Sequence, residues 1–329
     1  MRRRKFISLS VAASAVGWPI VARAQQPALP VVAFVNAGSA DGLAPRATAF
    51  RKGLSEVGFI EGQNVTIDYH WLEGRNDQLP ALMAEIVRQQ VAAIATPGSV
   101  VTSLAAKAAT ATIPVVFGVP EDPVRLGLVS NLARPGGNAT GVNTFSQEVI
   151  GKRLRLLHDL VPKAVRVAVL VDPNNVSSAK ITVQEVEKAA QGLGLVVQVF
   201  HATTISEINA AFTALAGEHF DALYVAPDAF LNSRGVQFAT LTARERIPAT
   251  FSSSEVVSVG GFMSYGSDLE DMSRQVGAYT GRILKGAKPA ELPVLQSTKL
   301  VFAVNLQTAR SLGIEVPSGV LSIADVVVE

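Results

Sequence analysis

Short apolar runs alternate with amphipathic segments along most of the chain. In the first part, four runs of apolar and β-branched residues predict buried strands, at Val31–Val35, Val65–His70, Val91–Ala95 and Ile113–Phe117. The segments between them have apolar residues at helical spacing, at Leu43–Val57, Gln78–Gln90 and Val100–Ala109. Strands and helices in this order predict a parallel sheet with helices on both faces.

The same alternation starts again after Pro162. Predicted strands follow at Val165–Val171, Val196–His201, Ala222–Ala226 and Ala249–Phe251, and predicted helices at Ser178–Gly192, Ile205–Leu215 and Val236–Arg246. A chain of 329 residues exceeds one ordinary domain. The fold class is therefore predicted as α/β, with two Rossmann-like lobes that each hold a parallel sheet.

Two glycine-rich segments predict where the chain passes between the lobes. The turn formers of Arg134–Gly141 cannot continue a helix, and Gly260–Gly266 has the pattern of a second, extended crossing. If the helix predicted at Leu269–Leu284 returns to the first lobe, the late strand at Leu300–Val304 requires a third crossing, as in a hinged pair of lobes. The predicted division assigns 29–144 and 266–292 to lobe 1, and 145–265 and 293–329 to lobe 2.

The first 24 residues have the pattern of a cleavable signal peptide. Arg2–Lys5 is a cationic segment, Phe6–Val16 is mostly apolar, and Ala22-Arg23-Ala24 predicts cleavage before Gln25. The paired arginines Arg3-Arg4 also fit a twin-arginine signal, although the general secretory route stays open. The alternative, an N-terminal membrane anchor, needs a longer apolar run than this one. The sequence therefore predicts a soluble protein in the periplasm.

Charge and cysteine content exclude several classes of function. Without residues 1–24, the chain holds 24 basic against 27 acidic side chains, so no basic surface for nucleic acid is expected. The chain has no cysteine, which excludes disulfides, thiolate nucleophiles, cysteine metal sites and a lipid-modified cysteine. No G-x-S-x-G, P-loop or G-x-G-x-x-G motif occurs, and the four histidines lack metal-ligand spacing. We expect no enzyme activity, no cofactor and no metal.

Small and polar residues follow several predicted strands directly. Open parallel sheets bind ligands at the carboxyl ends of their strands, where the N–H groups of helix N-termini attract anions. The alternative is that these residues are ordinary N-caps and turn formers. The candidate ligand-binding residues are Asn36, Thr96, Gly98, Ser99, Phe117, Gly118 and Asp122 in the first unit, and Asp172, Asn175, Asp228, Phe251, Ser252 and Tyr265 in the second.

The chemistry of these candidates predicts a small zwitterion as the ligand. Hydroxyl and amide donors at Thr96, Gly98 and Ser99 suit a carboxylate, whereas Asp172 or Asp228 in the opposite lobe suits an ammonium group. A ligand held from both sides would draw the lobes together. Three aromatic residues near strand ends are candidates for contact with an apolar side chain, and their alternative is a place in the core: Phe117, Phe251 and Tyr265.

Several motifs resemble one known family across essentially the whole chain after the signal peptide. They are Ile113–Phe117, Asp122-Pro123-Val124, Gly127-Leu128-Val129, Leu132–Gly141, Tyr265-Gly266, Asp268, Arg282–Pro293 and Asn305-Leu306. The sequence resembles ABC-transporter substrate-binding proteins similar to the tryptophan/tyrosine transport binding component. The resemblance implies a type I periplasmic-binding-protein fold, a ligand between two lobes and no catalysis. It also implies an aromatic or other apolar amino acid as ligand.

The leading interpretation is a monomeric solute receptor whose closed form docks on an ABC permease in the inner membrane. A sensory protein that presents ligand to a receptor kinase uses the same fold and remains the main alternative. A sugar-responsive transcription regulator would need an N-terminal helix-turn-helix, and this chain has a signal peptide there. An exported enzyme is disfavoured because no catalytic motif was found.

Overall fold

The computed structural model describes residues 29–144 and 149–329. The predicted signal peptide at 1–24 lies outside the described residues. Within the described part of the chain, no helix has the length and apolar character needed to cross a membrane.

The strands fall into two sheets. In chain order they are β1 (Val31–Asn36), β2 (Thr66–Trp71), β3 (Ala93–Pro97), β4 (Val115–Val119), β5 (Ala139–Asn143), β6 (Arg166–Val171), β7 (Val196–His201), β8 (Ala222–Val225), β9 (Ala249–Phe251), β10 (Met263–Ser267), β11 (Leu295–Gln296), β12 (Leu300–Asn305) and β13 (Val326–Val328). The first sheet has the order β11-β5-β4-β3-β1-β2 and is parallel throughout. The second has the order β13-β12-β10-β9-β8-β6-β7, with β10 and β12 antiparallel.

Helices cover both faces of each sheet. They are α1 (Ala44–Glu56), α2 (Leu79–Arg88), α3 (Val100–Ala109), α4 (Ile150–Leu160), α5 (Val176–Leu193), α6 (Ile205–Glu218), α7 (Ala229–Asn232), α8 (Gly235–Glu245), α9 (Ser254–Ser258), α10 (Leu269–Leu284), α11 (Leu306–Leu312) and α12 (Ser318–Leu321). Each sheet has an apolar core on each of its two faces. Burial on both faces explains the nearly continuous apolar runs of strands such as β1 and β6.

The first lobe consists of the six-stranded sheet with α1, α2, α3 and α10, and the second lobe holds the seven-stranded sheet with the other helices. Helix α10 packs directly on α1, because two glycines let the backbones touch. A Cβ at Gly53 would lie 1.8 Å from the Arg274 carbonyl oxygen, and a Cβ at Gly277 would lie 2.1 Å from that of Phe50. The chain therefore crosses between the lobes three times, after β5, after β10 and after β11.

The sheets differ in detail from the predicted lobe boundaries at 265/266 and 292/293. Strand β10 continues to Ser267 in the second sheet, where Ser267 pairs with Leu300. Strand β11 pairs with β5 at the edge of the first sheet. Each of these segments is only two residues long, so no hydrophobic pattern marks which sheet it extends.

Several elements were absent from the sequence-based prediction, among them helix α4 and strand β5. Helix α4 packs Leu154, Leu157 and Leu160 into the second-lobe core. Strand β5 begins at Ala139, inside the predicted turn segment 134–141, and a Cβ at its Gly141 would lie 2.0 Å from the Phe117 carbonyl oxygen of β4. Glycine is required there for the two strands to pair, and this is why the strand contains a residue typical of turns.

Candidate ligand-binding site

A cavity of about 30 Å³ lies between the lobes, where strand ends of both sheets face each other. The first-lobe wall, including the crossing segments, consists of Gly98, Val100, Pro120, Thr144, Leu269 and Met272. The second-lobe wall consists of Asn175, Pro227, Asp228, Ala229, Asn232 and Ser252. The cavity therefore lies at the sheet edges where the sequence places a ligand.

The lobes are closed over this cavity by a buried ion pair. The Arg46 guanidinium, on α1 of the first lobe, binds the Glu255 carboxylate of α9 in the second. Arg46 Nε lies 3.0 Å from both carboxylate oxygens of Glu255, and Arg46 Nη2 lies 2.6 Å from Oε2. The Arg46 side chain is only 1% exposed. A bidentate pair of this kind fixes both position and orientation.

Further contacts between the lobes show how closely they approach. A Cβ at Gly42 of the first lobe would lie 2.0 Å from the Ser233 carbonyl oxygen, at the end of α7. On another side of the cleft, the Ser177 hydroxyl of α5 donates to the Glu121 carboxylate. Burial raises the pKa of Glu121 above its ordinary value. A side chain at position 42 would collide with the Ser233 carbonyl oxygen, so glycine is needed there for the two lobes to close fully.

Two carboxylates lie close together in the second lobe, where Asp228 lines the cavity and Asp172 does not line it directly. Asp228 follows β8 and caps α7, with Oδ1 accepting from the Leu231 N–H at 3.0 Å. Its Oδ2 accepts from Asn175 Nδ2 at 3.1 Å. Asp172 follows β6 and accepts from the Asn174 N–H at 2.8 Å. Asp172 and Asp228 are 2% and 7% exposed, and neither has an ion-pair partner among the described residues.

The electrostatics of this pair follow from burial without a counter-ion. Burial and, next in importance, the neighbouring Asp228 carboxylate together raise the pKa of Asp172 to about 7. Burial also raises the pKa of Asp228. The N–H donors to the two carboxylates, which for Asp228 include the backbone of Leu231, Phe230 and Ala229, lower the pKa values and only partly offset this effect. The pair therefore forms a site that a positively charged ligand group would stabilise.

The first-lobe wall contains the N-terminus of α3. Gly98 has φ +78°, which places Ser99 as the N-cap, and the Ser99 hydroxyl accepts from the Thr102 N–H at 3.5 Å. Gly98 and Val100 line the cavity, whereas Ser99 is 1% exposed beside it. The first turn of α3 is thus directed at the cavity from the side opposite Asp228.

Four predicted residues of the first lobe have structural partners instead. Asn36 donates to the Pro97 carbonyl oxygen at 2.6 Å, and the hydroxyls of Thr96 and Ser103 are 2.8 Å apart inside the lobe. A Cβ at Gly118 would lie 2.4 Å from Met272 Sδ, so glycine allows α10 to pack there. Asp122 accepts from the Val124 N–H at 2.8 Å in a turn. The structure does not bring these four to the cavity.

The three aromatic candidates lie in the cores of the lobes. Phe117, Phe251 and Tyr265 are 0%, 1% and 7% exposed, and each belongs to a different apolar cluster. The Tyr265 hydroxyl accepts from Lys152 Nζ at 2.8 Å. None of the three lines the cavity. Of the thirteen candidates, the cavity is lined by Gly98, Asn175, Asp228 and Ser252.

Sequence reasoning missed several residues at the cleft. Asn232 lies one helical turn after Asp228 and accepts from the Ser252 hydroxyl at 3.0 Å. Leu269 and Met272 of α10 supply apolar surface, and their position follows from the return of this helix to the first lobe. Arg46 was missed because one arginine in an amphipathic helix resembles a solvated side chain. No group of His, Cys, Asp or Glu able to hold a metal occurs in 29–144 or 149–329.

The chain belongs to the ABC transporter substrate binding protein family, whose model matches residues 29–328. This confirms the family resemblance and places the chain among substrate-binding proteins rather than enzymes. The curated "Tyrosine-binding protein" of Clostridioides difficile (strain R20291) is 29% identical over 269 residues, which cover 81% of this chain and 76% of that protein.

Two solved structures each share 26% identity with this chain and cover 91% of it. One is an ABC domain from Streptococcus pneumoniae in complex with L-Trp, with a TM-score of 0.81 and 100% of that chain covered. The other is the ligand-free, open structure of a substrate binding protein with adhesive properties from Clostridium difficile, with a TM-score of 0.60 and 99% covered. The predicted two-lobed type I fold is confirmed.

The TM-scores for these two structures are those expected of a chain whose lobes are closed over the cleft. At equal identity, this chain matches the L-Trp complex more closely than the open, ligand-free structure. An open structure is expected to superpose less well on a chain whose lobes are joined by an ion pair across the cleft.

Proposed function

We propose that this protein is the periplasmic substrate-binding component of an ABC importer and that it binds an amino acid in the cleft between its lobes. An aromatic amino acid is the favoured class, because one relative is a tyrosine-binding protein and a similar structure holds L-Trp. Delivery to a permease in the inner membrane follows from the family and from the predicted signal peptide. The chain is proposed to act as a monomer.

The observation that carries this proposal is the pair Asp172 and Asp228 at the closed cleft. Two buried carboxylates without a counter-ion cost free energy in the empty protein. An ammonium group would supply the missing charge and the missing donors together. The same pair would reject ligands that carry only a carboxylate, since like charges within a closed cleft repel. An amino acid or an amine therefore fits, whereas a sugar would leave the charge unbalanced.

The size of the cavity bears on the ligand's side chain. In the closed form it offers about 30 Å³, whereas an apolar cavity of ~150 Å³ accommodates benzene. An aromatic ligand thus requires Leu269 and Met272 to move, or the lobes to open slightly. Met272 is suited to this because methionine side chains are flexible and adapt to a bound surface. A small apolar amino acid requires less rearrangement.

A ligand screen tests the proposal. The purified protein, unfolded and refolded to remove carried-over ligand, is heated with the twenty L-amino acids, and hits are measured by calorimetric titration. We expect L-Trp, L-Tyr or a smaller apolar amino acid to raise the melting temperature, as binding to the folded state requires. Indole-3-propionate, which lacks the ammonium, serves as the matched control and should give no shift. A screen in which no amino acid binds would overturn the proposal.

A further inference from the structure

We propose that Arg46 binds the carboxylate of the ligand and so connects ligand binding to closure of the lobes. This inference rests on the proposed function, and it names the group in the first lobe that recognises the acid end of an amino acid. It starts from a donor that the protein itself leaves unused. Among the described residues, Arg46 Nη1 is buried and has no hydrogen-bond partner.

The geometry of the guanidinium explains which donors remain. Nε and Nη2 form the edge that binds Glu255, and Nη2 also lies 3.5 Å from the Ser253 hydroxyl. The two N–H groups of Nη1 point away from that edge because the guanidinium is planar. A buried guanidinium donor without an acceptor is costly, so a native protein that keeps one is expected to supply an acceptor at some stage.

Arg46 Nη1 lies beside the cavity, so an acceptor for its N–H groups would have to lie there. A Cβ at Gly98 would lie 3.4 Å from Arg46 Nη1 and 3.4 Å from Met272 Cε, and both Gly98 and Met272 line the cavity. Gly98 is followed at once by the N-terminus of α3, whose first N–H groups favour a negative charge. A carboxylate beside Gly98 would therefore meet the helix N-terminus and Arg46 together.

This arrangement has a consequence for closure. Arg46 belongs to the first lobe, while its partner Glu255 belongs to the second. A carboxylate on Nη1 would hold the guanidinium in the orientation that Nε and Nη2 need to bind Glu255. The ligand would thus stabilise the closed form at two places, through Asp228 by its ammonium group and through Arg46 by its carboxylate. Differential affinity for one form is what shifts such an equilibrium.

The competing explanation is that Arg46 only fastens the closed lobes through Glu255. Variants and ligands chosen in pairs separate the two explanations. The ligands are L-tryptophan with L-tryptophanol and L-tyrosine with L-tyrosinol, since each alcohol keeps the ammonium and the ring but lacks the carboxylate. The variants are Arg46→Gln, Glu255→Gln and the double variant, which restores the charge balance of the pair. Circular dichroism and melting temperature confirm that each one folds.

In the wild type we expect the acid to bind ~10–100-fold more tightly than the alcohol, as charge-assisted hydrogen bonds imply. Arg46→Gln and the double variant should reduce this ratio to about 3 or less, whereas Glu255→Gln should keep it while weakening both ligands. A ratio that survives in the double variant, or that Glu255→Gln abolishes to the same extent, would overturn the inference. If the wild type binds none of the four ligands, the same comparison is made with the amino acid that the ligand screen identifies and its alcohol, and the proposed function fails first only if the screen identifies no amino acid. A wild type that binds the acid and the alcohol equally refutes only the role of Arg46.

Discussion

The two walls of the cleft are built by the same local pattern but carry opposite chemistry. On each wall a strand end is followed by an N-cap residue and a helix, with Ser99 before α3 and Asp228 before α7. The first-lobe cap is a neutral hydroxyl near the buried cation Arg46. The second-lobe cap is a carboxylate with the second carboxylate Asp172 beside it. One pattern thus produces an electropositive wall and an electronegative wall, and this asymmetry would orient the zwitterion proposed as ligand.

The two caps also differ in charge. The Ser99 hydroxyl accepts one N–H at 3.5 Å. Asp228 accepts from Leu231 and Asn175, and the backbone N–H groups of Phe230 and Ala229 also contribute hydrogen bonds to it. The buried negative charge of Asp228, rather than a free acceptor position, therefore makes this cap the proposed partner of an ammonium group.

The largest expected effect comes from neutralising the second-lobe wall. Asp228→Asn keeps a side chain that caps α7 well but removes the charge, so we expect amino-acid affinity to fall by about 100-fold or more. The ligand-free variant should melt at a higher temperature near pH 8, because a buried, unpaired charge has been removed. Calorimetric titration and thermal melting measure the two effects.

Asp122→Asn is the matched control for that substitution. Asp122 is also a sequence-predicted candidate, but its carboxylate lies in a turn of the first lobe and accepts from the Val124 N–H. Its variant should bind with unchanged affinity. If Asp122→Asn weakens binding as strongly as Asp228→Asn, the walls do not differ in the way described above.

The next largest effect is the pH dependence of stability and of ligand affinity that the second-lobe carboxylates produce. The pKa of Asp172 in the folded state is about 7, above its ordinary value of 3.8, so the folded protein holds more protons than the unfolded chain between those values. Stability of the ligand-free protein should therefore fall as pH rises from about 4 to about 7 and then level off. Affinity for an ammonium ligand should rise over the same window, by up to ~10-fold per pH unit below 7.

Titrations across this window, at constant ionic strength, measure that dependence. Asp172→Asn should remove the part of the pH dependence that Asp172 contributes. A smaller dependence should remain, because the pKa of Asp228 is also raised. An affinity that is constant from about pH 5 to about pH 8 would show that neither carboxylate pairs with the ligand.

A smaller effect is expected from the first-lobe wall. Ser99→Ala removes a long cap hydrogen bond, so stability should fall by ~0.5–1 kcal/mol. Ligand affinity should fall only a few-fold, since the N–H groups at the start of α3 remain. Chemical denaturation and titration of the same preparation measure both. An affinity loss as large as that of Asp228→Asn would mean that the hydroxyl itself is the main carboxylate ligand.

The smallest effect concerns the aromatic core. Tyr265→Phe removes a hydrogen bond to Lys152 and leaves the ring in its cluster. We expect a small loss of stability and no change in ligand affinity or selectivity, measured with L-Trp and L-Tyr. A change in selectivity between these two ligands would place Tyr265 at the site after all.

Most of the fold followed from hydrophobic periodicity, because buried parallel strands leave continuous apolar runs in the sequence. Strand β5 was missed because Gly141, needed for close pairing with β4, resembles a turn residue. Helix α4 was not assigned from the sequence, although Leu154, Leu157 and Leu160 have helical spacing. Short strands such as β11 carry too few residues for a period to show.

The site was only partly predictable, because a local sequence pattern does not show which side chains face the cleft. Four of the residues predicted from strand ends, Gly98, Asn175, Asp228 and Ser252, line the inter-lobe cavity, and their role in ligand binding stays a prediction. The position of a residue at a strand end could not distinguish these four from Asn36 and Thr96, whose side chains form hydrogen bonds within their own lobe. Arg46 and Glu255 are 209 positions apart and meet only when the lobes close. No local pattern reports such a contact.

A crystal structure of the refolded protein with L-Trp or L-Tyr tests the orientation of the ligand most directly. The polarity of the two walls predicts an ammonium nitrogen roughly 2.7–3.2 Å from an Asp228 oxygen. It also predicts a carboxylate against the first turn of α3, within reach of Arg46 Nη1. A ligand bound outside the cleft, or one whose carboxylate faces Asp228, would contradict this arrangement.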